Sequence, residues 1–120
     1  MKQIKIIRAY KATEKLSHND SFSTDTLWGL YKLRKVLFPH WEFQNERENE
    51  LKKKYAKYAD KNGVLTGEHY NEYLQELSKI LDMEKEISNE GKITIPLKEG
   101  LGISVEMMEA LEDFVDFVKE

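Results

Sequence analysis

The chain has no cysteine, only two prolines and only six glycines among its 120 residues. Without thiols it can form neither a disulfide nor a thiolate metal site. No apolar run approaches the roughly 20 residues needed to cross a bilayer as a helix. The stretch Lys2 to Arg8 is broken by charges every few residues and lacks the continuous apolar core of a secretory leader. A soluble, cytoplasmic protein without membrane contact is therefore expected. There is no glycine-rich phosphate loop, internal repeat or low-complexity tract.

What is present is charge and helical periodicity. The hydrophobic content is 40% and the charged content 34%, above the usual quarter of a globular chain. This balance predicts one domain, residues 1–120, built from thin layers of helix. The net charge of -3 conceals an asymmetry: residues 1–60 carry +5 (ten Lys and three Arg against eight acids), and residues 61–120 carry -8 (six Lys against fourteen acids). Such halves can pack on each other so that their fields partly cancel, or serve self-association or a charged partner.

The expected fold class is mainly α (α+β), with four to five helices. Residues 3–16 fit a helix or a strand, and length and the Ala9, Ala12, Glu14, Lys15 content favour helix. Ser23 is the expected cap of a central helix over 24–38, with Phe22 and Leu27 as a hydrophobic staple. Trp28, Leu33 and Val36 depart from that helix's Leu27, Leu30, Tyr31, Leu37, Phe38 face, which predicts burial on most sides. Pro39 predicts a break. Beyond it, Trp41, Gln44, Glu48, Leu51, Tyr55, Tyr58 and Ala59 form one narrow stripe, and Tyr70, Tyr73, Leu74, Leu77, Ile80 and Leu81 another. These predict a long antiparallel helical hairpin, 40–59 and 67–82, turning at Asn62-Gly63 and capped by Thr66. Alternation at Ile93, Ile95 and Leu97 predicts a short β-hairpin over 85–97, limited by Pro96, with Gly100 and Gly102 loosening the chain after it. A C-terminal helix is expected over 105–118, capped by Ser104, with Met107, Leu111, Phe114 and Val118 inside and Glu109, Glu112, Asp113 and Asp116 outside.

Few residues suggest chemistry. Asp60-Lys61-Asn62-Gly63 resembles the start of a calcium loop, but counting from Asp60 puts Leu65 sixth and Asn71 twelfth, where such a loop requires Gly and Glu. His18, His40 and His69 lie in separate elements, and His69 with Glu72 is too small a set for a metal. The glutamates fall on solvent-facing helix positions and the serines on caps and turns. No catalytic residue, cofactor or metal is therefore expected, and the protein is read as a non-enzyme. Lys2, Lys5, Arg8, Lys11, Lys15, Lys32, Arg34 and Lys35 offer a basic N-terminal half for nucleic acid as an alternative, against which the acidic total and the lack of a groove-reading motif weigh. His40, Phe43 and Arg47 make a candidate protein-binding anchor of the aromatic-plus-arginine kind, with the acidic face Glu109, Glu112, Asp113 and Asp116 as a second surface.

The order of these features resembles that of small uncharacterised α-helical proteins encoded by bacteriophages and prophages. The resemblance rests on Leu30-Tyr31-Lys32-Leu33-Arg34-Lys35, the charged arm Glu46 to Tyr58, and the closing Ile103-Ser104-Val105 and Ala110-Leu111-Glu112. It implies a bacterial host cell and a phage structural or host protein as partner, hence a virion-assembly accessory or chaperone. The alternative it implies is an inhibitor that holds a host defence protein with its acidic C-terminal face.

Overall fold

The computed structural model describes residues 1–87, 92–97 and 102–119. In chain order these form α1 (Gln3–Leu16), α2 (Thr24–Tyr55), a 3₁₀ turn (Ala56–Tyr58), α3 (Gly67–Leu81), β1 (Ile93–Leu97), α4 (Val105–Leu111) and β2 (Val115–Lys119). At 32 residues, α2 extends about 48 Å at 1.5 Å per residue and sets the longest dimension of the molecule, 53 Å.

The ends of α2 follow from its sequence. Ser23 Oγ accepts the Thr26 N–H at 3.2 Å, while Asp25 in the first turn and Lys52, Lys53 and Lys54 in the last complement the helix dipole. The break expected at Pro39 does not occur: the helix runs through it. Proline removes one N–H and leaves the Lys35 carbonyl without its donor, but Lys35 and Pro39 are both exposed, so that carbonyl lies on the solvent side. α1 packs along the flank of the helix beside the proline, with half-exposed Phe38 at the rim of the contact. Tyr10 meets Phe38 at 6.3 Å and stacks on Trp41 at 5.3 Å, on either side of the proline. Gln3 Nε2 donates to the His40 carbonyl at 2.8 Å. One rigid neighbour thus holds both halves in line against a local cost of about 3 kcal/mol.

Two apolar clusters lie along α2. The larger joins Ile6, Ala9, Tyr10, Ala12 and Leu16 of α1 to Leu30, Leu33 and Leu37 of α2, closed by Ile95, Leu111, Phe114 and Val115. The smaller joins Leu51 and Tyr55 to Ile80 of α3, with Phe43, Leu65, Tyr73 and Leu77 around them. Contacts between the arms run in opposite order: Tyr58 stacks on His69, Tyr55 meets Tyr73 edge-on, and Lys54 pairs with Glu76. The connecting turn is organised by Asp60, whose Oδ1 accepts the Asn62 and Val64 N–H groups at 2.8 and 3.0 Å. Gly63 takes a φ of +79° there, which side chains disfavour. Thr66 occupies the cap position of α3, but its hydroxyl makes no capping bond. Across the base, the Gln3 N–H donates to the Met83 carbonyl and the Lys85 N–H to the Met1 carbonyl, both at 2.8 Å.

The C-terminal third departs from expectation. Residues 93–97 do not pair back on residues near 85. They pair in parallel with 115–119, Ile93 opposite Val115 through Leu97 opposite Lys119. The expected turn at 88–91 and the loosening at Gly100 lie outside the described residues. The expected helix over 105–118 stops at Leu111, because Val115, Phe117 and Val118 are β-branched or aromatic and β1 supplies a strand to pair with. Pro96 is tolerated on geometric grounds. The Ile93 N–H donates to the Phe114 carbonyl, so alternate positions 93, 95 and 97 face β2 and Pro96 faces away, where no donor is required.

The sheet reaches α2 at Gly29, where an added Cβ would lie 2.8 Å from Ile93 Cγ2. Gly29→Ala would gain about 1 kcal/mol of helix propensity yet is expected to lower stability by about 1–3 kcal/mol through overpacking. A double variant with Ile93→Ala should show positive coupling in urea melts; a stabilised single variant would contradict the close approach. Pro39→Ala restores a helix bond on the open face without disturbing the α1 contacts, and should raise stability by about 1–3 kcal/mol, read from the denaturation midpoint. A loss would mean that a break at Pro39 is required.

Candidate functional site

Burial along α2 divides it into two faces. Leu30, Leu33, Leu37 and Gln44 are buried, and at 100° per residue the opposite side carries Trp28, Tyr31, Lys32, Lys35 and Phe38. These rings were expected to be covered. Instead Trp28 is 57%, Tyr31 50% and Phe38 42% exposed, because α1 and β1 cover only the inner side of α2 and α3 meets it farther along, around Leu51 and Tyr55.

The exposed rings are mutually ordered. Trp28 and Tyr31 stack with centroids 5.4 Å apart and planes 22° apart. Phe38 continues the face into Tyr10 and Trp41. Cations lie over the rings: Lys32 Nζ 5.5 Å from the Trp28 centroid, Lys35 Nζ 5.9 Å from Tyr31, and the Arg34 guanidinium 5.6 Å from Tyr10. Among the ion pairs of the described residues none involves Lys32, Arg34 or Lys35. Their charges therefore rest on π faces, an arrangement worth about 0.5–1 kcal/mol at exposed sites, and not on carboxylates. Sequence reasoning read the rings as core. The usable signal was that they share one face with the three cations.

The residues expected to form a partner site are placed differently. His40 and Phe43 are half-buried. Lys85 covers the Phe43 ring at 3.8 Å, and Arg47 approaches the same ring at 5.4 Å while pairing with Glu50 at 3.2 Å. The structure thus brings Phe43 and Arg47 together, but under a cap from the segment after α3. The acidic set is divided: Glu109 is on α4, Glu112 and Asp113 are in the following turn, and Asp116 is on β2. Glu109, Glu112 and Asp113, with Glu106, line a cleft of about 720 Å³ whose other wall is Lys5, Arg8, Lys11 and Lys15 of α1. Lys5 reaches Asp113 at 3.9 Å and Lys92 reaches Asp116 at 3.5 Å. The basic and acidic halves thus face each other inside one chain.

Glu76, Tyr55, Ser23 and Ser104 are engaged in bonds that hold the helices. Glu76 is held below the usual carboxylate range by hydrogen bonds from Lys54 and Tyr55, and the Tyr55 hydroxyl is pushed up to about 12, chiefly by that bond. Ser23 and Ser104 are committed to capping Thr26 and Met107. His69 lies 3.5 Å from Glu72 and stacks on Tyr58 at 3.7 Å. Among the described residues no three His, Asp or Glu side chains converge on a metal-sized space, and no helix is long and apolar enough to cross a membrane.

Burial first, and then the nearby Lys85 charge, lowers the pKa of His40. The folded chain binds this proton more weakly than the unfolded chain, so the stabilising contribution is present above about pH 6.5 and is lost on acidification. Between about pH 7.5 and about pH 5.5 the urea midpoint of the wild type should fall further than that of His40→Gln. Equal falls would show that His40 is not coupled to folding.

Comparison with protein families, with curated proteins and with solved structures finds no match to this chain.

Proposed function

We propose that this protein acts by binding another protein, without chemistry of its own, and that the outer face of α2 is the docking surface. The observation that carries the reading is the exposed, stacked Trp28–Tyr31 pair with unneutralised lysines over it. Trp, Tyr and Arg dominate binding energy at protein interfaces, and a stripe of aromatic rings left in water gains on association by removing apolar area. The phage resemblance makes the role concrete as a virion-assembly accessory or chaperone whose partner is a phage structural protein. Inhibition of a host protein through Glu109, Glu112 and Asp113 has less support, because these carboxylates face the chain's own α1 cations. Nucleic acid has less support too, since four of the basic residues behind that idea, Lys5, Arg8, Lys11 and Lys15, line the same cleft.

The test is affinity capture from infected host cells with the wild type and with Trp28→Ala/Tyr31→Ala. Both residues are exposed, so the variant should keep its thermal midpoint. The expected result is one stoichiometric protein held by the wild type and weakened about tenfold or more by the double variant, as for paired anchors. Undiminished capture by the variant would rule out this face. Concentration-dependent mass of the purified chain, abolished by the same variant, would assign the face to self-association.

A further inference from the structure

We infer that the outer face of α2 takes an amphipathic helix of the partner protein, one whose apolar seam is flanked by acidic side chains. This inference rests on the protein-binding reading above and specifies the partner. Trp28, Tyr31, Lys35 and Phe38 are spaced three, four and three residues apart, the interval at which side chains of one helix form a continuous seam for a second helix crossing at about 20°. Lys35 is compatible with the seam, because a lysine stem can cover apolar surface and its Nζ lies 5.9 Å from the Tyr31 centroid, beside the rings. Lys32 and Arg34 fall about 80° to either side of the seam's midline at 100° per residue, and so line both flanks.

Charge decides the partner's sign. No acidic residue occurs between Asp25 and Glu42, and the cations of this stretch make no ion pair among the described residues. A partner with basic flanks would meet uncompensated repulsion, whereas Glu or Asp flanks would find ready counter-charges. Shape decides between a helix and a nucleic acid strand. A single strand is held in a basic groove that tracks its backbone, but this face is the convex side of one helix, and the cations of α1 that could extend it line the cleft against α4. A second copy does not supply the ligand through α4, whose Leu111 is buried in its own core.

The experiment is calorimetric titration of the whole chain with three probes. One is a synthetic amphipathic helix with a Leu seam and Glu flanks, the second is the same peptide with Lys flanks, and the third is an oligothymidylate. The Glu-flanked peptide should bind about tenfold or more tighter than the Lys-flanked one, less so as salt rises. Trp28→Ala/Tyr31→Ala should abolish binding, and Lys32→Glu/Lys35→Glu should reverse the preference between peptides. Equal binding of the two peptides, binding of neither, or tighter binding of the oligonucleotide would overturn the inference. If the captured cellular partner still depends on Trp28 and Tyr31 in those cases, the docking face stands and only its assigned ligand falls. If capture is indifferent to Trp28 and Tyr31, the docking face itself falls.

Discussion

The structure depends on α2 remaining one helix through Pro39. Had the chain turned there, the cluster around Leu30 and Leu37 and the cluster around Leu51 and Tyr55 would have been free to fold back on each other. Because α1 packs across the proline, with Tyr10 against both Phe38 and Trp41 and Gln3 bonded to the His40 carbonyl, the two clusters lie in series along one axis. The missing hydrogen bond falls on the solvent side, where water can reach the freed Lys35 carbonyl. Length follows from this, and so does exposure: a helix of 32 residues is longer than the elements available to cover it, and its outer face stays open.

Electrostatics explains a second part of the arrangement. The +5 half and the -8 half meet across the cleft between α1 and α4, with Lys5 already near Asp113. Facing charges at partly solvated distances contribute little individually, but their signs favour the observed docking of α4 on α1 over alternatives. Lys32, Arg34 and Lys35 of α2 do not line this cleft. The surface therefore divides into an internally balanced region and an unbalanced one, and the unbalanced one also carries the exposed rings.

Much of the helical framework was legible in the chain. The span of α1, the Ser23 and Ser104 caps, the start of α2, and the part of the two stripes that meets around Leu51, Tyr55, Tyr73, Leu77 and Ile80 follow from local periodicity and capping chemistry. The candidate site was not. Trp28 and Tyr31 belong to a class of residue more often covered than open, and a helix apolar on several sides normally has neighbours on all of them. Only the placement of the neighbours shows that, among the described residues, one side is left largely open. Phe43 illustrates the converse: its exposure could not be judged without knowing that Lys85 comes to lie over it.

The strands show the same division at the level of pairing. Alternation marked residues 93–97 as a strand, and the Val115, Phe117, Val118 content is compatible with one, but parallel pairing needs a partner delivered by a crossover, a long-range fact that local pattern does not contain. The sequence by itself determined most of the helical segments, the Ser23 and Ser104 caps and where charge accumulates, because these depend on interactions within a few residues. Tertiary structure decided that α2 passes through Pro39, that the last residues pair with β1 instead of extending α4, and that Trp28, Tyr31 and Phe38 are left in solvent. Each of these turns on which distant surface is present to compete with water or with a local preference.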